Sequence, residues 1–110
     1  MKRDSKERIL DISYNVNQIL KASSGKTLAD FEKDFVLVSA IIRGLEIIGE
    51  ALKYIAKDIK DKYPQIPWKE MAGMRDVAIH DYADIKVDRI YNTVKKDTPL
   101  LKQQIEKIEL

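Results

Sequence analysis

Apolar residues recur along this chain at spacings of three and four, not two. Ile9, Ile12, Val16 and Ile19 form one such series, the pattern of a helix that buries a single stripe. Asp4, with Glu7 three residues on, supplies a capping pattern that predicts a first helix from Asp4 or Ser5 to Ala22, and Ser23, Ser24 and Gly25 break it. Thr27 is placed to cap a short turn. The next series runs on from about Phe31 to Lys62, before Tyr63 and Pro64, and predicts the longest helix of the chain.

On that helix Ser39, Arg43, Glu46, Glu50, Lys53, Lys57 and Lys60 alternate at three and four and form one narrow polar stripe. Nearly everything else on the cylinder is apolar. Phe35, Val38, Ile42, Leu45, Leu52 and Ile59 are candidates for the core, and a second row, Leu37, Ile41, Ile48 and Ile55, is a candidate contact with another subunit. Periodicity alone leaves open whether that second row packs within one monomer or across a homodimer.

Pro64 and Pro67 bracket a turn, and Pro67 is placed to start a helix with Trp68, Met71, Met74 and Ala78 inward. Asp84 can cap a further helix burying Val87, Ile90, Tyr91 and Val94; Thr98 and Pro99 open a last one with Leu101, Ile105 and Ile108. The expected fold is all-α, a compact bundle of about five helices forming one domain over residues 1–110.

Composition narrows the chemistry. There is no cysteine, so disulfides, thiolate metal sites and a cysteine nucleophile are excluded, and a reducing, cytoplasmic setting is the expectation. The charged start, Met1 to Arg8, argues against a secretory leader, and the apolar run from Phe35 to Ile42 is far too short for a membrane span. Twenty basic residues against eighteen acidic ones leave a net charge of +2, so an RNA contact would have to rest on a local patch, for which Lys86, Arg89, Lys95 and Lys96 are candidates. No glycine-rich phosphate loop, nucleophile elbow or paired histidine ligands occur, and no metal or cofactor is implied.

The single histidine, His80, gathers the remaining possibilities. It stands in Gly73-Met74-Arg75-Asp76-Val77-Ala78-Ile79-His80-Asp81-Tyr82, the one place where acid–base chemistry near neutral pH has a natural agent. On a regular helix Asp76 lies one turn before His80 on the same face, where its carboxylate can fix the imidazole tautomer and favour the charged form. Arg75 sits roughly 140° away around the cylinder. RNA cleavage without metal needs a base for the 2′-hydroxyl, a cation for the charge on phosphorus and an acid for the leaving 5′-oxygen. A two-fold axis near the motif would supply two histidines and two arginines. Spacing alone equally allows a helix-end cap for His80, surface ion pairs for Arg75 and Asp76, and a sealing role for Tyr82.

The stretch Ile42-Arg43-Gly44-Leu45-Glu46-Ile47-Ile48-Gly49-Glu50-Ala51, then Pro64-Gln65-Ile66-Pro67-Trp68-Lys69-Glu70-Met71-Ala72-Gly73-Met74-Arg75 and His80-Asp81-Tyr82, resembles the HepT-like branch of the HEPN superfamily. Tyr91-Asn92-Thr93-Val94 and the turn from Asp97 to Leu101 extend the likeness over most of the chain from Ser39 onward. The resemblance implies a HEPN-like homodimer whose Arg-x4-His-x-Tyr motif lines the cleft between subunits and cuts RNA without metal, leaving cyclic phosphate ends. Arg75 then holds the scissile phosphate and His80 is the acid–base residue. Tyr82 is the hydroxyl that an MntA-type minimal nucleotidyltransferase antitoxin modifies with AMP. Asp76 and Gly44 stand where the family commonly has Asn, which makes Asp76 a supporting residue able to tune His80. The alternative reading is a non-catalytic nucleotide-binding or docking partner of a nucleotidyltransferase.

Overall fold

The computed structural model describes residues 4–73, 76 and 86–109. Among these residues every regular element is helical. Helix α1 (Ser5–Ser23) begins where the Asp4 carboxylate accepts the Glu7 N–H at 2.8 Å and buries Ile9, Ile12, Val16 and Ile19, the series read from the sequence. It ends before Gly25, whose φ of 73° is the kind of left-handed turn that glycine adopts without steric cost.

The long helix expected from Phe31 to Lys62 is three helices. In α2 (Leu28–Lys33) a reciprocal capping box joins Thr27 and Asp30, and Phe31 is buried against Tyr91, edge to face at 5.1 Å. Asp34 closes α2 and opens α3 (Phe35–Lys53), its carboxylate accepting the Leu37 N–H at 3.0 Å. One capping side chain thus interrupts an apolar pattern that looks continuous. After α3 the chain turns at Tyr54, and the Ala56 N–H, left without a helical partner, donates to Ser5 Oγ at 2.9 Å. A short α4 (Lys57–Lys62) follows.

These breaks decide how α3 packs. Ile41 and Ile48 are buried on the same helix as Val38, Leu45 and Leu52, and Ile55 is buried just beyond it. Ile41, Ile48 and Ile55 of the second apolar row therefore belong to the monomer's own core. Leu37, Ile42 and Ile59 are partly buried, whereas Phe35, expected in the core, is the first residue of the helix and is 78% exposed. Helix α1 lies along α3 closely: a Cβ on Gly44 would stand 2.9 Å from Ile19 Cδ1.

Helix α5 (Trp68–Ala72) starts after Pro67 as the sequence suggests and packs on α3, while α6 (Val87–Asn92) brings Ile90 into the core. Between α6 and α7 (Thr98–Ile105) the backbone does not stop. It widens into a π turn, Thr93–Asp97, where a break was expected at Thr98 and Pro99. Pro99 has no N–H and its ring crowds the preceding turn. The wider turn accommodates it, with the buried Thr98 sending both its N–H and its hydroxyl to the Thr93 carbonyl. Helix α7 lies against α1, buries Leu101 and Ile105, and adds a Lys102–Asn17 hydrogen bond at 2.6 Å. The radius of gyration, 13.9 Å, is close to the roughly 13 Å expected of a compact chain this long.

Candidate functional site

In chain order, the segment that the sequence singles out lies after α5 and before α6. Helix α5 is braced at its start. Trp68 Nε1 donates to the Tyr63 carbonyl at 3.1 Å, Tyr63 Oη accepts the Glu109 N–H at 2.9 Å, and Trp68 and Met71 are buried. A tryptophan in the core with its N–H satisfied fixes the direction of the short helix. Gly73 closes α5 by donating its N–H to the Lys69 carbonyl at 3.2 Å, and Asp76 donates its N–H to the Gly73 carbonyl at 2.9 Å. A Cβ on Gly73 would lie 3.2 Å from the Glu70 carbonyl oxygen, so the closure favours glycine.

Of the four residues expected in the site, Asp76 is described and its side chain is exposed. Arg75, His80 and Tyr82 lie outside the described residues, as do the expected inward positions Met74 and Ala78 and the expected cap Asp84. The expected pairing of Asp76 with His80 therefore lies outside them too.

The cationic track read from the sequence is divided. Lys95 donates to the Ser23 carbonyl at 2.8 Å and lies 5.7 Å from the Tyr91 ring centroid, so it neutralises the carboxyl end of α1. Lys86, the N-cap of α6, and Lys96, in the π turn, are exposed. On the other side of α5, Pro67, Glu70, Met71, Asp97, Leu100 and Gln104 line a hollow of about 280 Å³. Its charged side chains are acidic, which does not suit a phosphate backbone. Among the described residues no three acidic or histidine side chains converge as a metal site would require.

A feature the sequence did not disclose is an open crevice between α1 and α3. Arg8, Asp11, Tyr14, Arg43, Ile47 and Glu50 are among the residues around its larger part, about 640 Å³, and Asn15, Ala40 and Gly44 border a smaller extension of about 180 Å³. The signal was present in α1, where Leu10 and Tyr14 fall out of phase with the buried stripe and remain 53% and 64% exposed.

The described residues form a small all-helical bundle, and the comparisons with known proteins identify its family. The family model described as "Ribonuclease HepT-like" matches residues 12–108, so the chain belongs to the HepT-like ribonuclease family. It is similar to the "Probable ribonuclease HepT" of Thermococcus cleftensis, 44% identical with 98% of each chain covered. Two Methanocaldococcus jannaschii proteins named as candidate RNases are also similar. One is 38% identical with 96% of each chain covered, and the other 41% identical over 97% of this chain and 92% of its own. No solved structure matches. No helix among the described residues is long and apolar enough to cross a membrane.

Proposed function

We propose that this chain is a metal-independent endoribonuclease that works as a homodimer and acts as the toxin of a toxin–antitoxin pair. The observation that carries the reading is the family match, which runs through residues 12–108 and takes in the whole stretch from Arg75 to Tyr82. In this mechanism the imidazole of one His80 removes the proton from a ribose 2′-hydroxyl, and the 2′-oxygen attacks phosphorus. Arg75 stabilises the charge that builds on the phosphoryl oxygens. The bond to the 5′-oxygen breaks, and a protonated imidazole, supplied by the second subunit, gives that oxygen its proton. The products are a 2′,3′-cyclic phosphate and a free 5′-hydroxyl. Asp76 is a positioning residue that holds the His80 tautomer and favours its charged form.

Control follows from the same geometry. A nucleotidyltransferase antitoxin transfers AMP to Tyr82: the phenol oxygen attacks the α-phosphorus of ATP and pyrophosphate leaves. The product places a bulky anion two residues from His80, where it repels the RNA backbone without any refolding. Expression of the wild-type chain should arrest growth, and His80→Ala should abolish the arrest. Coexpression with the antitoxin should add the mass of one AMP per chain, and Tyr82→Phe should remove that addition. Arrest that persists in His80→Ala would overturn the catalytic assignment.

A further inference from the structure

We propose that the hollow between α5 and α7 binds a small alkylguanidinium cation, held by Glu70, Asp97 and Gln104 over an apolar floor. The inference does not depend on the nuclease reading.

The hollow follows from how its walls pack. Helix α5 packs on α3 and α7 on α1, so a gap remains between one face of α5 and one face of α7. Pro67, Glu70 and Met71, spaced by three and one, share a face at the start of α5; Asp97, Leu100 and Gln104, spaced by three and four, share a face leading into α7. Asp97 ends the π turn Thr93–Asp97, and turns of this kind recur at functional sites. The volume, about 280 Å³, sits at the lower end of small-molecule pockets, roughly 300–1,000 Å³. Such a space suits one small molecule rather than the face of a protein.

The polar groups select its chemistry. Among the described residues that line the hollow, the charged ones are both acidic, on a chain whose net charge is +2. Neither Glu70 nor Asp97 forms an ion pair or a side-chain hydrogen bond among the described residues. Gln104 supplies a separate sign of a missing donor. Its Oε1 is buried and has no hydrogen-bond partner among the described residues, a costly state for an amide oxygen. The last torsion of glutamine is soft, so the amide can turn that oxygen to an N–H placed in the hollow.

Three acceptors beside apolar walls distinguish among cations. A hard divalent metal ion takes six or more oxygen ligands, which Met71 and Leu100 cannot supply. An ammonium is compact and strongly hydrated, and it gives up water poorly beside the same side chains. A guanidinium is planar, weakly hydrated and rich in N–H donors, enough for two carboxylates and the amide oxygen together. Its alkyl stem lies on Pro67, Met71 and Leu100, of which Leu100 is otherwise 55% exposed.

The test is a titration of the full-length chain with butylguanidinium at low salt, followed by amide NMR. Resonances of Glu70, Met71, Asp97, Leu100 and Gln104 should shift together, with a Kd of about 1 mM or tighter. Butylurea, which keeps the shape and loses the charge, should bind about tenfold more weakly or worse, and butylammonium about threefold more weakly. Glu70→Gln and Asp97→Asn should each weaken binding by about tenfold, and Gln104→Met by about threefold. Thermal melts check that each variant is folded. No shift at about 20 mM butylguanidinium would overturn the proposal. So would butylurea binding as tightly, or folded Glu70→Gln and Asp97→Asn variants binding like wild type. Tighter binding of an arginine within a blocked tripeptide would overturn it as well, by making the occupant a side chain of a partner protein.

Discussion

The two sides of α3 both carry large apolar residues and have opposite fates. The inner side, Val38, Ile41, Leu45, Ile48 and Leu52, is shut against α1 and its neighbours, with Leu45, Ile48 and Leu52 at 0% exposure. The outer side carries Phe35 and Val36 in the open and Ile47 over a crevice, interleaved with Arg43, Glu46 and Glu50. The inner side is uninterrupted and serves stability, whereas the outer side mixes apolar groups with balanced charge, as recognition surfaces do.

Substitutions on each side should therefore differ in kind as well as in size. Leu45→Ala or Leu52→Ala opens a cavity in the centre and should cost roughly 2–5 kcal/mol in urea unfolding. Gly44→Ala, at the seam between the two sides, pushes a methyl against the far end of the Ile19 side chain, which can shift, while alanine's better helix propensity offsets the crowding, so the net change should be about 1 kcal/mol or less. Ile47→Glu on the outer side should change monomer stability by only about 0.5 kcal/mol. An outer substitution as costly to the monomer as an inner one would erase the distinction.

The smallest effect expected lies just before α3. The Thr27 backbone N–H, then its hydroxyl, donates to the Asp30 carboxylate and holds its pKa below the ordinary value; slight desolvation opposes this, while Lys26 and Lys33 add to it. A carboxyl with a depressed folded-state pKa stabilises above its unfolded pKa and loses that contribution as pH falls through the folded one. Thermal melts should show wild type losing slightly more than Asp30→Asn across that acidic window, with the two alike in slope above it.

Much of this was legible in the chain. The α1 stripe and its Asp4 cap are local, and local signals survive into the structure. The break at Asp34 was written in the same language, a capping residue three before Leu37, but Phe31, Phe35 and Val38, spaced by four and three, carried the helical pattern across it. The π turn was illegible because Pro99 reads as a helix start, whereas the buried hydrogen bonds of Thr98 let the helix continue. Which side of α3 faces inward depended on Gly44 and Ile19, residues far apart in sequence. Lys95 looked like part of an RNA track until its partner, the carbonyl of Ser23 seventy-two residues away, came into view. The site was different again. A lone Arg and His at this spacing carry little by themselves, and the longer motif acquired meaning only through family resemblance; the match over residues 12–108 places the chain in that family.

The most direct test of the nuclease reading is the cleavage of a labelled RNA pool in EDTA by wild type and by His80→Ala, with Tyr82 checked as unmodified by intact mass. The account predicts cleavage that survives the chelator, leaves cyclic phosphate ends and falls by about a hundredfold or more in the variant. An unmodified, folded dimer that leaves the pool intact, or a His80→Ala chain that cuts as fast as wild type, would contradict it.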